Sequence, residues 1–145
     1  MRRAGRSAAT ILDRLCSLVR PGMSTLEVDE AGGQLMKDMG VKSACKGYRS
    51  GHRVFPSYTC LSVNDEVVHG IGVEERILKD GDVISVDVCI REDGMIGDNC
   101  RTIGVGRISP EVEKLLKVTE ESLFKGMAQA LHKNRVGDVS EAVQK

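Results

Sequence analysis

The segment GDVISVDVCIREDGMIGDNCRT, residues 81–102, constrains this chain more than any other. Val83 to Ile90 alternates apolar side chains in a β-branched run, which predicts a strand. Asp93-Gly94 suits a two-residue type I′ turn, whose central residues both need φ > 0. Met95 to Val105 then reads as the returning strand. Closing the turn on Glu92 and Met95 sets Ile90 opposite Gly97 and Cys89 opposite Asp98. Side chains alternate faces with period two, so Asp87 shares a face with Asp98. Diagonal neighbours of this kind lie roughly 7–8 Å apart, close enough for two short carboxylates to converge. Aspartate is disfavoured in strands and facing like charges repel, so a cation belongs between them; a divalent metal pair is the reading. Val83, Ile84, Val86 and Val88 around Asp87 predict a strand buried on both faces. The competing reading is a pair of solvent-facing or turn-capping carboxylates. A bulge at Gly97 would turn one of the two away.

A chain of 145 residues suits a single domain over 1–145, burying roughly two thirds of its unfolded surface. Lys plus Arg and Asp plus Glu both number 21, so the formal net charge is zero. That balance argues against a nucleic-acid partner and against an electrostatic grip on a membrane. The short basic clusters Arg2, Arg3, Arg6 and Arg49, His52, Arg53 are not interleaved with aromatics. No apolar run is long enough to span a bilayer, and no apolar signal region follows the Arg-rich start. The five cysteines, Cys16, Cys45, Cys60, Cys89 and Cys100, are odd in number and contain no C-x-x-C pair. A disulfide framework or zinc knuckle is therefore not expected, and a reducing, cytoplasmic setting fits best.

Ala4, Ala8, Ile11, Leu12, Leu15, Leu18 and Val19 recur at helical spacing and predict an opening amphipathic helix stopped by Pro21-Gly22. Ser24 with Glu27 forms a capping box for a second helix carrying Leu26, Leu35 and Met36 and ended by Gly40. Val41 to Pro56 is irregular and reads as a loop. Tyr58 to Val63 reads as a short strand, and Asn64 to Arg76 turns back through Gly70 and Gly72. Ser109, Pro110, Glu111 and Glu113 open a third helix. Its expected buried stripe is Val112, Leu115, Leu116, Leu123, Met127 and Leu131, and Gly137 introduces a fourth helical segment. This order predicts an α+β fold with helices packed on one face of an antiparallel sheet.

Four strings, SVNDEVVHGIG, LKDGDVISVDV, DGMIGDNCRT and ISPEVEKLLKVTEESL, stand in an order and spacing that resemble type I methionine aminopeptidase. The likeness runs from MRRAG at the start to AVQK at the end. It implies a pita-bread fold, in which two similar halves hold a dinuclear metal centre between them, and removal of initiator methionine from nascent polypeptides. Asp87 in SVDV and Asp98 in GDNC match two metal-ligand aspartates of that family, one chelating and one bridging. His69 in VVHGI matches the histidine that contacts the scissile amide; by itself it would read as a turn or surface residue. Cys45 and Tyr48 in ACKGY match one side of the methionine side-chain pocket, and Cys60 in TCLSV the other. Phe55 stands where the family has a tyrosine before proline, and Ser50 to Val54 looks inserted. Buried cysteines are most often plain core, although a polarizable thiol lining suits a thioether.

The implied cofactors are two divalent ions, and the hard donor set leaves Mn, Fe, Co or Zn open. The implied partners are N-terminal methionyl peptides of nascent chains, with the ribosome as the place where they are met. The family's remaining ligands, a histidine in a G-H-G motif and two glutamates, fall beyond Lys145. The chain is therefore expected to be an N-terminal half, inactive alone and completed by a C-terminal half, with Met1 an internal residue. Two other readings use the same scaffold: a non-catalytic pita-bread binding protein, and an exopeptidase of the Xaa-Pro or creatine-cleaving kind. Both metal-site aspartates and His69 argue against the first, and VNDEVVHGIG against the second.

Overall fold

The predicted spacing of the first helix holds over α1 (Arg2–Leu18), where Ala4, Ala8, Ile11, Leu12 and Leu15 are buried. Leu18 is left exposed at the last turn, and Val19 caps the helix. The computed structural model describes all of residues 1–145. α2 (Thr25–Asp38) opens on the predicted capping box: the Glu27 N–H donates to Ser24 Oγ at 3.1 Å, and the Ser24 N–H donates to Glu27 Oε2 at 2.7 Å. It ends at Gly40, whose φ of 68° lets the Gly40 and Val41 N–H groups reach back to the Lys37 and Met36 carbonyls. Helical Gly33 has a packing reason, since a Cβ there would lie 2.7 Å from the Tyr58 ring.

Four short strands follow: β1 (Lys42–Ser43), β2 (Arg49–Ser50), β3 (Arg53–Val54) and β4 (Cys60–Val63). The stretch expected to be irregular loop thus contains a strand of the main sheet and a two-stranded hairpin, β2 paired with β3. Two-residue strands carry no periodicity, so only their pairing reveals them.

The long strands β5 (Val83–Glu92) and β6 (Met95–Gly104) form the predicted hairpin without a bulge, in register from Val83↔Gly104 to Glu92↔Met95. β5 organises the sheet. β6 occupies its whole length on one edge, so β4 and β1 share the other edge in line, with Cys60 opposite Asp87 and Ser43 opposite Ile90. All pairings are antiparallel. Ile84, Val86, Val88 and Ile90 have no exposed surface and form the core with α1. Each such side chain contributes about 1.5–3 kcal/mol on burial. α1 lies directly against β6, because a Cβ on Gly97 would sit 2.2 Å from the Ala4 carbonyl oxygen. Polar contacts fix its position: Glu92 accepts from Arg3 Nε at 2.6 Å and from Ser7 Oγ at 2.8 Å.

These elements make up one compact unit, Met1–Ile108, and Ser109–Lys145 forms a second. The second holds α3 (Pro110–Ala128) and α4 (Val136–Gln144). Ser109 caps α3 by accepting from the Val112 N–H, with Pro110 at the first helical position as expected. The predicted buried stripe is not observed. Leu115, Leu123 and Met127 are more than half exposed, Leu131 lies past the helix end and is exposed too, and Val112 and Leu116 are only half-buried. Two helices meeting along one line cover little apolar surface. The fully buried position of α3 is Gly126, where α4 comes so close that a Cβ would lie 2.6 Å from Val143 Cγ2.

Candidate metal centre

The hairpin turn sets the geometry of the site. Asp93 and Gly94 take φ of 50° and 76°, as a type I′ turn requires, and the resulting register pairs Cys89 with Asp98 and Asp87 with Cys100. Asp87, Cys89, Asp98 and Cys100 therefore share the sheet face opposite the one lined by Ile84, Val86, Val88 and Ile90. Cross-strand pairing adds Cys60 and Ser62 of β4 to that face. The strand expected to be buried on both faces is buried on one only: β5 alternates fully buried with half-buried residues, and Asp98 is exposed. The alternation follows from the α-helical cover lying on a single side.

Asp87 carries the sharpest electrostatic feature. Its Oδ1 is buried and has no hydrogen-bond partner. Burial, then the neighbouring Asp98 carboxylate, push the Asp87 carboxyl up to about 6, and nearby His69 acts in the opposite direction. An unpartnered buried carboxylate oxygen beside a second carboxylate is a costly arrangement without a cation.

His69 reaches this face on a loop that is tied down on both sides. Asn64, at φ 56°, accepts from the Val83 N–H at 2.9 Å and donates to Asp82 at 3.0 Å. On the far side, the Gly70 N–H donates to Ser62 Oγ at 3.1 Å, and its carbonyl accepts from the Leu61 N–H at 2.9 Å. The fit at Gly70 admits no side chain, since a Cβ would lie 2.1 Å from the Leu61 carbonyl oxygen. His69 itself is exposed and held at φ 58°, a left-handed conformation that costs roughly 1–3 kcal/mol outside glycine.

The thiols of Cys45, Cys60, Cys89 and Cys100 lie in the same region. The Ala44 N–H donates to the Cys89 carbonyl at 2.9 Å, and the Cys45 N–H donates to Ser43 Oγ at 3.1 Å, which fixes the turn that carries Cys45 beside the end of β1. The neighbouring Cys60 thiol holds Cys45 below the ordinary thiol value, while the neighbouring Cys45 thiol and burial push Cys60 up. Burial and Asp98 push Cys89 up to about 12. Tyr48 and Phe55 stand at the foot of the β2–β3 hairpin, where the Phe55 N–H donates to the Tyr48 carbonyl at 2.9 Å; Tyr48 is exposed and Phe55 half-buried. The structure thus gathers Asp87, Asp98, His69, Cys45 and Cys60, with Tyr48 and Phe55 on the adjoining hairpin.

Two contributors escaped sequence reasoning. Cys89 joins the face by strand parity with Asp87 and could have been found from it. Asp29 is buried inside α2 and accepts from the Tyr58 and Thr59 N–H groups and from Thr59 Oγ at 2.8–3.0 Å, anchoring the chain just before β4. Its helical spacing with Thr25, Gly32 and Met36, all buried, was the available signal.

The model of metallopeptidase family M24 matches residues 1–145. The chain belongs to this family. Similar M24 proteins include methionine aminopeptidase B of Synechocystis sp., 41% identical over 145 residues, and methionine aminopeptidase 1 of Bacillus subtilis, 42% identical over 144. Each alignment covers 99% of this chain but 53% and 56% of the relative, so the chain spans about half the length of the curated relatives it matches. The crystal structure of methionine aminopeptidase from Thermotoga maritima superposes with a TM-score of 0.89 at 36% identity, over 99% of this chain and 56% of that one. Aminopeptidase PepP of Pseudomonas aeruginosa, at 20% identity and TM-score 0.80, shares the fold. The α+β arrangement is thus that of the pita-bread fold, represented over about half its length.

Membership of M24 implies a divalent metal ion, and the residues present fit one flank of such a centre. Asp87 and Asp98 offer hard carboxylate donors, and the orphaned Asp87 Oδ1 is a buried acceptor lacking a positive partner. No group of three or more His, Cys, Asp or Glu side chains is arranged to hold a metal ion. No helix is long and apolar enough to cross a membrane.

Proposed function

We propose that the protein removes N-terminal methionine from nascent polypeptides in a metal-dependent reaction in a cytoplasmic setting, and that both units of this chain belong to one catalytic domain. The observation that carries the reading is the buried, unpartnered Asp87 Oδ1 beside Asp98 in an M24 chain similar to methionine aminopeptidases. Asp87 and Asp98 would hold two divalent ions of the Mn, Fe, Co or Zn group. Such ions, when bound, supply Lewis acidity to the scissile carbonyl and lower the pKa of a water towards about 7.

The chain's own residues divide the remaining work. His69, on a loop pinned by Gly70 and Asn64, points a hydrogen-bond donor at the scissile amide, where charge develops as the carbonyl is attacked. Cys45 and Cys60 offer a soft, uncharged bed for an unbranched thioether, with Tyr48 and Phe55 at its rim. The β5–β6 hairpin and α1 keep both aspartates fixed, so little ordering is left for the moment of reaction.

Two carboxylates are too few for a dinuclear centre, and a hydrolytic site also needs an acid–base group. We therefore read the 145-residue chain as inactive alone, its missing donors coming from a segment equivalent to the C-terminal half of the relatives. The test is release of free methionine from a methionyl tripeptide with added Mn, Co or Fe. The chain alone is expected to release none; co-expressed with the C-terminal half of the Bacillus subtilis relative, it is expected to turn over. Robust turnover by the chain alone, or preference of the completed protein for an Xaa-Pro peptide, would overturn this reading.

A further inference from the structure

The excursion between β1 and β4 carries a charge imbalance that the proposed reaction does not use. It leaves the sheet edge where the Ala44 N–H donates to the Cys89 carbonyl and returns where Cys60 pairs with Asp87, so both legs stand beside the carboxylate site. Between Asp38 and Asp65 the sequence has Lys42, Lys46, Arg49 and Arg53 and no acidic residue, although the whole chain is neutral. None of these four is in an ion pair. Lys46 is held over the Tyr58 ring, 3.6 Å from its centroid, and Lys42 lies back in β1. Arg49 and Arg53 are left on the β2–β3 hairpin, both exposed. The hairpin's register separates them. Gly47, at φ 84°, forms a one-residue bulge: its N–H donates to the Phe55 carbonyl, while the Phe55 N–H donates to the Tyr48 carbonyl. Beyond it, Arg49 pairs with Val54 and Ser50 with Arg53. Alternation then puts Tyr48, Ser50, Arg53 and Phe55 on one face, and Arg49 with Val54 on the other.

We propose that Arg53 grips an acidic side chain at the third or fourth residue of a methionyl peptide, which makes acidic peptides the favoured substrate class. This rests on the reading, given under Proposed function, of Tyr48 and Phe55 as the rim of the methionine pocket. Arg53 stands two residues, roughly 6–7 Å, beyond Phe55 on the rim's own face. An extended peptide covers that distance in two residues. A peptide running out along this face with its methionine at the rim therefore brings its third and fourth residues level with the guanidinium. Guanidinium takes carboxylate in a bidentate fit, and no acid of the hairpin competes for it. An RNA strand suits the face less well: one arginine, in a chain of zero net charge, offers too few phosphate contacts.

The test compares the peptides Met-Ala-Glu-Glu-Ser and Met-Ala-Gln-Gln-Ser. On the chain completed by co-expression with the C-terminal half of the Bacillus subtilis relative, KM for the acidic peptide should be about 3–10-fold lower, with kcat unchanged. The gap should hold in about 20 mM salt and close in about 0.5 M. Arg53→Gln should erase the preference, whereas Arg49→Gln, on the other face, should keep it. Amide NMR shifts of the 145-residue chain read the contact without turnover. The acidic peptide should move the Arg53 and Phe55 amides further than the glutamine peptide does, and Arg53→Gln should cancel the difference. Equal KM values, a preference that survives Arg53→Gln, or one lost as fully in Arg49→Gln would each overturn the proposal. Larger shifts of the same amides with a uridine oligonucleotide would overturn it too, by assigning the face to RNA. Acid-dependent shifts at Arg53 in a chain whose completed form releases no methionine would count against the proposed function and leave the acidic-peptide contact standing.

Discussion

Asp87→Asn should make the metal-free protein more stable at neutral pH while removing its response to divalent ions. The substitution keeps size and shape but deletes the charge that is buried beside Asp98. The folded value of about 6 against an ordinary carboxylate near ~3.9 corresponds to ~3 kcal/mol. Asp87 is only half-buried, and screening reduces the expected effect to about 1–2 kcal/mol. The sign follows from linkage. A carboxyl raised on folding contributes stability that is fully present below its unfolded value and lost as pH rises through about 6. Wild type should therefore lose about 1–2 kcal/mol between pH ~4 and pH ~7 that the asparagine variant keeps. Hydrogen exchange of the β5 and β6 amides reads this unit apart from α3 and α4. In chelator-treated protein at pH 7.5, the variant should be protected about 5–30-fold more than wild type, and the two should converge at pH 4. Added Mn should raise protection in wild type and leave the variant unmoved. A variant less protected than wild type at pH 7.5, or a gap of equal size at pH 4, would refute the claim that Asp87 is an electrostatic burden awaiting a cation.

Three further outcomes follow from the same geometry. In the completed, metal-loaded protein, His69→Ala should retain metal yet lose about 10²–10³ in kcat, as a transition-state donor would; parallel metal analysis and kinetics separate this from the metal loss expected for Asp87→Asn. Gly70→Ala places a methyl 2.1 Å from the Leu61 carbonyl oxygen, so thermal unfolding should show a loss of at least about 1–3 kcal/mol, with the His69 loop and the β4 edge first to exchange. Ser24→Ala removes the α2 cap and should cost about 1 kcal/mol in urea unfolding without changing thiol reactivity at the site, which β4 and β5 set.

Local physics made much of this protein legible in its residues. The period-two run of β5, the Asp93-Gly94 turn and strand parity together determine that Asp87 and Asp98 share a face, because each depends only on neighbours within one hairpin. The Ser24–Glu27 box, the Gly40 stop and the Ser109-Pro110 start are equally local, and all three stand where the sequence puts them. Tertiary structure decided what depends on contacts distant in the chain. β1 exists only because β5 offers it an edge, and no two-residue strand has a period to read. Asp29 becomes a buried anchor only when residues some thirty positions later bring their N–H groups to it. The apolar positions of α3 read as a core stripe, but burial belongs to a pair of surfaces, and α4 covers only the line through Gly126.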